Sequence, residues 1–220
     1  MNLKWQMTRA FFVSLILLIC FGLIAFLMSE QKISWFDNKV IILIQGLENP
    51  ILTQIMRFFT FIGSSFVVIP FVVAIALLLY KFLKYRSELI LLFSVTFGSA
   101  ILNMALKVIF HRARPMLHRI IDASGYSFPS GHSMSAFTLY GILAYLLWRH
   151  IPTSLGRLLI ILFSSLMILL IGISRIYLGV HYPSDVLGAY LISGSMLAVS
   201  IWFYQLYRER RFQQKRENEN

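Results

Sequence analysis

Long apolar runs separated by short basic segments set the pattern of this chain. Six stretches free of Asp, Glu, Lys and Arg run over Ala10 to Ser29, Phe58 to Tyr80, Leu89 to Leu106, Ala123 to Trp148, Leu158 to Ser174 and Val186 to Tyr207. A helix needs about 20 mainly apolar residues to cross a bilayer, and each run approaches or passes that length. The apolarity is continuous rather than alternating, which predicts helices and not barrel strands. In the fourth run, helix is expected from about Ser130. The first run is long and lacks a clear small-x-small cleavage site, so it is read as the first span and not as a secretory leader. The expected fold is all-α: a polytopic membrane protein with six transmembrane helices in a bundle. No linker, internal repeat or low-complexity tract interrupts it, so residues 1–220 are read as a single membrane-embedded domain.

Composition agrees with that reading. Of 220 residues, 58% are hydrophobic, and the mean hydropathy of +0.75 lies beyond the soluble range. The net charge of +11 raises nucleic acid as a partner. Its placement argues against that, because the basic residues sit in short segments beside apolar spans and there set orientation. Lys4, Arg9, Lys81, Lys84, Arg86, Arg149, Arg157, Arg208, Arg210, Arg211, Lys215 and Arg216 fall on one side, twelve of the twenty Lys and Arg. That richer side is expected to be cytoplasmic, with both termini inside. Trp5, Trp148 and Trp202 near the inner boundary and Trp35 near the outer one fit aromatic belts. The basic tail Arg208 to Arg216 is read as solvated, with some attraction to anionic inner-leaflet lipid. The lone Cys20 lies in mid-span and is read as a packing residue. Between the first two spans, Ile33 to Leu47 is apolar with Asp37, Lys39 and Gln45 interspersed. It fits either an interfacial helix over the outer surface or a connector packed on the bundle, the plainer of the two.

Against this background three polar clusters stand out at span ends on the outer side, where ionisable groups mark function by default. The first holds Lys107, Arg114 and Pro115; the second Pro129, Ser130, Gly131 and His132; the third Ser174, Arg175, His181 and Asp185. Lys107 and Arg114 would share a face if the helix ran on, but Pro115 disfavours helix at Arg114. An ammonium and guanidinium forks suit phosphate oxygens. Snorkelling to head groups is the plainer role for Lys107 alone, and it is the reading adopted for Arg112 and Arg119. Ser130 is an expected N-cap, and Gly131 lets a ligand approach the first free amides of a helix, whose dipole attracts anions. His132 alone would pass for a capping or interfacial histidine. Pro183 suits the first turn of the last span. Asp185 can fix the tautomer of His181, or serve only the helix dipole.

Taken together, the clusters support phosphoryl transfer. His181 would attack phosphorus, while Lys107, Arg114, Arg175 and the amides near Gly131 hold the equatorial oxygens. His132 would protonate the departing oxygen and then activate water. No metal and no other cofactor is expected, because the histidines lack a carboxylate or cysteine set at ligand spacing and three cations would repel a divalent ion.

At these residues the sequence resembles the type 2 phosphatidic acid phosphatase family. Its pattern of Lys-x6-Arg-Pro, Pro-Ser-Gly-His and Ser-Arg-x5-His-x3-Asp is matched by Lys107 to Pro115, Pro129 to His132 and Ser174 to Asp185 without departure. The resemblance implies a helical bundle and a Mg²⁺-independent phosphatase with a phosphohistidine intermediate. It also implies Ser130 as a phosphate ligand beside Gly131 and His132. Within the family, the short chain is similar to bacterial phosphatidylglycerophosphatase B proteins and to undecaprenyl-diphosphate phosphatases. That likeness implies a plasma-membrane lipid phosphatase acting on phosphatidylglycerol phosphate, undecaprenyl diphosphate or both at the outer face. The expected partners are the lipid substrate and the bilayer, with no obligate protein partner. A phosphotransferase to an alcohol acceptor and a non-enzymatic lipid transporter on the same scaffold are the alternatives. Head-group selectivity is assigned to loop residues such as His118, Asp122 and Tyr126.

Overall fold

The computed structural model describes residues 3–83, 86–116 and 118–219, and among the described residues it is helical with no strand. Lys84, and the side chains of Lys4, Arg86, Lys215 and Arg216 from the charge pattern and of Trp5 from the aromatic belts, lie outside the described residues. The helices are α1 (Leu3–Ser29), α2 (Ser34–Gln45), α3 (Pro50–Ile62), α4 (Ser65–Leu78), α5 (Arg86–Phe110), α6 (Gly131–Trp148), α7 (Ser154–Tyr177) and α8 (Pro183–Glu219).

Four of them contain stretches long and apolar enough to cross a membrane: Thr8–Ser29, Ser87–Phe110, Ser154–Tyr177 and Pro183–Arg211. A fifth is obtained if α3 and α4 count as one bent span. The second expected span is therefore not a continuous helix over Phe58 to Tyr80. α3 begins eight residues earlier, at Pro50, behind the capping side chain of Asn49. The two helices are bent by 48° at Gly63 and Ser64. Packing explains the break: a Cβ on Gly63 would lie 2.6 Å from Cγ2 of Ile171 on α7. The fourth run also shortens, because α6 starts only at Gly131 and residues 123–130 belong to the preceding loop. Its polar first turn keeps α6 outside the set that crosses by length and composition alone. α8 runs past the expected boundary at Tyr207, through the basic tail to Glu219.

α6 lies inside the bundle, packed against α5, α7 and α8, while α1 runs along α8. Small and hydroxyl residues make these approaches possible, as expected where lipid supplies no hydrophobic drive between helices. The Oγ atoms of Ser14 and Ser195 lie 2.9 Å apart across the α1–α8 seam. Exposed Phe11, Phe12, Ile16 and Ile19 on α1, with Leu158, Leu162 and Phe163 on α7, leave an apolar outer face suited to acyl chains. α2 packs against α7 and α8, yet exposes Trp35, Ile42 and Leu43 on its other face. It thus combines features of both roles weighed for the Ile33 to Leu47 segment.

The α7–α8 crossing is tightest at Gly172. A Cβ there would fall on the Tyr190 hydroxyl and 2.8 Å from Val186 Cγ1. That hydroxyl donates to the carbonyl of Ile168 at 2.6 Å. Gly172→Ala is expected to destabilise the bundle by about 1–3 kcal/mol, the range for overpacking. Thermal melting of the purified protein in detergent measures it, and an unchanged transition would mean that the crossing is looser than described.

Candidate active site

The end of α5, the start of α6, the end of α7 and the start of α8 meet at one end of the bundle. Two long-range backbone bonds tie them there: Ser130 N donates to Asp185 O at 3.1 Å, and Ile120 N to Leu178 O at 3.1 Å. Phe128 anchors the long loop, buried and stacked on Phe21 of α1 at 5.7 Å. Gly179 has φ +73°, and a side chain there would run into the His118 carbonyl. Only glycine suits both demands, and the turn it makes delivers His181.

α5 ends at Phe110, with His111 at φ +46°. Arg114 is thus in the loop, and the shared helical face with Lys107 is not formed. Arg114 is buried, and carbonyls hold it. Nε donates to Gly125 O at 3.0 Å, Nη2 to Ser124 O at 2.9 Å and Nη1 to Val180 O at 2.8 Å. Nη1 also lies 3.1 Å from Nε2 of His181. The opposite ring nitrogen, Nδ1, is 3.3 Å from Oδ2 of Asp185. A guanidinium only donates and a carboxylate only accepts, so the pair assigns the proton to Nδ1 and the lone pair to Nε2. Burial pushes the His181 pKa down to about 4, against the opposing pull of Asp185. The ring is therefore neutral near pH 7, with Nε2 unprotonated.

Ser130 caps α6 as expected, accepting from the Ser133 amide at 3.4 Å and the Ser133 hydroxyl at 2.9 Å. Behind it, Asn103 of α5 donates to Pro129 O at 3.1 Å. A Cβ on Gly131 would sit 3.1 Å from Asn103 Oδ1, so glycine keeps this approach open. His132 follows in the first turn, within the electrostatic reach of Arg175, His181, Lys107 and Arg114. Lys107 likewise feels Arg114, Asp185 and Arg175. Arg175 is buried, with Nη1 donating to Thr60 Oγ1 of α3 and Nε buried without a hydrogen-bond partner. All eight residues singled out from the sequence thus converge: Lys107, Arg114, Ser130, Gly131, His132, Arg175, His181 and Asp185.

The structure corrects the reading of Arg112 as a snorkelling cation. Its side chain is 14% exposed and bridges two buried acids, Asp185 Oδ1 at 2.6 Å and Asp37 Oδ2 at 2.7 Å. Arg119 does remain exposed. Sequence reasoning also missed Ser127, which donates to Asp185 Oδ2, and Ser184, which bonds Asp37. It missed Thr60 and Asn103 as well. Asp37 and Asn103 carried a usable signal, since each is a polar group in an apolar segment. Ser127 and Thr60 carried none. Of the loop residues assigned to selectivity, His118 is exposed and pairs with Glu48 at 2.6 Å, and Tyr126 packs on His111 with ring centroids 4.5 Å apart.

A neutral imidazole oriented by a carboxylate, a second histidine and several cations form a set able to attack and stabilise a phosphoryl group. Known proteins place the chain accordingly. The family model of the PAP2 superfamily matches residues 87–210. Phosphatidylglycerophosphatase B of Bacillus subtilis (strain 168) is 36% identical over 146 residues, which cover 66% of this chain and 71% of that protein. A protein of Escherichia coli (strain K12), provisionally named undecaprenyl-diphosphatase YbjG, is 30% identical over 149 residues, covering 64% and 71%. The crystal structure of a transmembrane PAP2-type phosphatidylglycerolphosphate phosphatase from Bacillus subtilis superposes with a TM-score of 0.80 at 29% identity, covering 86% of this chain and 94% of that one. With more than half its length inside the family model, this chain belongs to the PAP2 superfamily and is a multi-pass membrane phosphatase.

Proposed function

We propose that the chain hydrolyses the terminal phosphate of a membrane lipid phosphate or diphosphate through a phosphohistidine on His181, without a metal. The observation that carries this reading is the setting of His181, with Nδ1 on Asp185 and an unprotonated Nε2 beside the Arg114 guanidinium. Nε2 attacks phosphorus as the bond to the lipid oxygen breaks, and that oxygen takes a proton from His132, whose imidazolium form the anionic phosphate stabilises once bound. Water then gives a proton to His132 and attacks the phosphohistidine; the N–P bond breaks, its electron pair returns to Nε2, and phosphate leaves. Lys107, Arg114, Arg175, Ser130 and the amides at Gly131 bind the phosphoryl oxygens. The unpartnered Nε of Arg175 supports this role, since a buried donor is costly until an acceptor arrives. Lys107, Arg114 and Arg175 around the two histidines would repel a divalent ion, which supports the metal-free route.

The same reading takes residues 1–220 as one unit with six spans, α3–α4 and α6 included. Both termini are cytoplasmic and the site faces outward across the plasma membrane. The distribution of Lys and Arg supports that orientation. Phosphatidylglycerol phosphate and undecaprenyl diphosphate are the substrates proposed, in line with the names of the relatives. The bilayer and the lipid are its partners, and no protein partner is required. The test is phosphate release from each lipid by purified protein with EDTA present. Chelation is expected to leave the rate within about 2-fold, and the ratio of rates ranks the lipids. Folded protein that releases phosphate from neither lipid would sink the reading and return weight to transfer or transport. Loss of activity with EDTA that added Mg²⁺ restores would overturn the metal-free route.

A further inference from the structure

Arg112 lies outside the phosphate-binding set, yet it joins both acids of the network behind His181. Its Nη1 donates to Asp185 Oδ1 at 2.6 Å and to Ser184 Oγ at 2.7 Å. Its Nη2 donates to Asp37 Oδ2 at 2.7 Å. Asp37 is fixed in turn by the Ser184 amide at 2.8 Å and the Ser184 hydroxyl at 2.7 Å. The guanidinium carbon stands 4.0 Å from the ring centroid of Tyr182, so stacking also sets the plane of the fork. The two carboxylates are almost wholly buried, at 1% for Asp37 and 0% for Asp185.

Two buried acids around one arginine form an expensive arrangement when judged on stability alone. It acquires a rationale from the charge it leaves. A lone Arg112–Asp185 pair would be neutral and would weaken the pull of Asp185 on the Nδ1 proton. Sharing the guanidinium with Asp37 leaves the trio at −1 while still gripping Oδ1. Oδ2 is then aimed at His181, with Ser127 and the Tyr182 amide as its other donors. Asp37 comes from α2, so a helix far from the signature motifs in sequence closes the network.

We propose that Arg112 is a positioning residue for the His181–Asp185 pair, with Asp37 on α2 as its counter-charge. The proposal rests on the phosphohistidine reading above. Arg112 acts through Asp185 and touches no substrate, so its loss falls on kcat and not on KM.

The experiment measures kcat and KM for phosphatidylglycerol phosphate in detergent micelles, with melting curves as a check on folding. Arg112→Gln is expected to lower kcat on the order of 10- to 100-fold, the range for groups that orient a reactive side chain, with KM within about 2-fold. Arg112→Lys keeps the charge but loses the fork, and should recover part of kcat. Asp37→Asn should lower kcat by a smaller factor. In an Asp185→Asn background, Arg112→Gln should cost no further kcat, because its target is gone. Wild-type kcat in Arg112→Gln overturns the proposal, as does a full multiplicative loss on top of Asp185→Asn. An effect confined to KM, or equal loss in the Lys and Gln variants, also overturns it. If instead His181→Ala and Asp185→Asn remain active, the phosphohistidine reading itself has failed, and the two failures are told apart.

Discussion

His181→Ala is expected to abolish phosphate release, with a loss of at least about 10³-fold, the scale seen when a nucleophile is removed from a covalent mechanism. The argument is geometric. His181 is the ring whose Nε2 faces Arg114 and whose Nδ1 faces Asp185, and no neighbouring group offers the same lone pair in the same place. His132 cannot substitute, since it lies on α6 and has no carboxylate partner among the described residues. The variant should stay folded, because α7 and α8 remain locked by the Gly172 crossing, and the start of α6 remains tied to α8 by Ser130 N on Asp185 O. A second readout separates chemistry from binding. Wild type quenched in alkali during turnover of a ³²P-labelled lipid phosphate should carry label on histidine, stable to base and released by acid. The variant should carry none. Label retained by the variant, or release within about 10-fold of wild type, would remove His181 from the mechanism.

The reach of the sequence differed between the site and its support. The convergence of Lys107, Arg114, Ser130, His132, Arg175, His181 and Asp185 was legible because each is a polar group near a break in apolar sequence, where burial demands a partner or a task, and Gly131 lies between two of them. Tertiary geometry was needed for the rest. Arg112 sits two residues from Arg114 and has the same chemistry, but its direction depends on where α5 stops, and His111 at φ +46° decides that. Asp37 stood out as an acid in an apolar segment, yet nothing local says that its partner is 75 residues away. The break between α3 and α4 was missed because Phe58 to Tyr80 carries no charge, and its only local sign is the Gly63, Ser64 and Ser65 run. It comes from the close passage of Ile171 at Gly63, a contact with a different helix. The start of α6 was better marked, since Ser130 combines a capping side chain with a following glycine.

Asp185→Asn is expected to lower kcat by about 10²–10⁴-fold while the bundle persists, the upper end being about the loss for the same exchange behind a catalytic histidine. Every group around Asp185 explains why. Arg112 Nη1 donates to Oδ1; the Tyr182 amide, the Ser127 hydroxyl and His181 Nδ1 face Oδ2. An asparagine has one oxygen and one NH₂ for these two positions. With the oxygen toward Arg112, the NH₂ meets the Tyr182 N–H and turns His181 to the other tautomer. The proton then sits on Nε2, against Arg114 Nη1, and the nucleophilic lone pair is lost. With the oxygen toward His181, the NH₂ meets the Arg112 donor instead, and the grip on Oδ1 is lost. The first orientation opposes the Tyr182 N–H and the second opposes Arg112 Nη1, and neither keeps the charge that stabilises an imidazole bonded to phosphorus. The loss should be smaller than for His181→Ala, because a fraction of molecules still presents a free Nε2. Histidine-linked label should still form, more slowly. Unchanged turnover in a folded Asp185→Asn protein would mean that Asp185 serves only the α8 helix start and that His181 works without an orienting carboxylate.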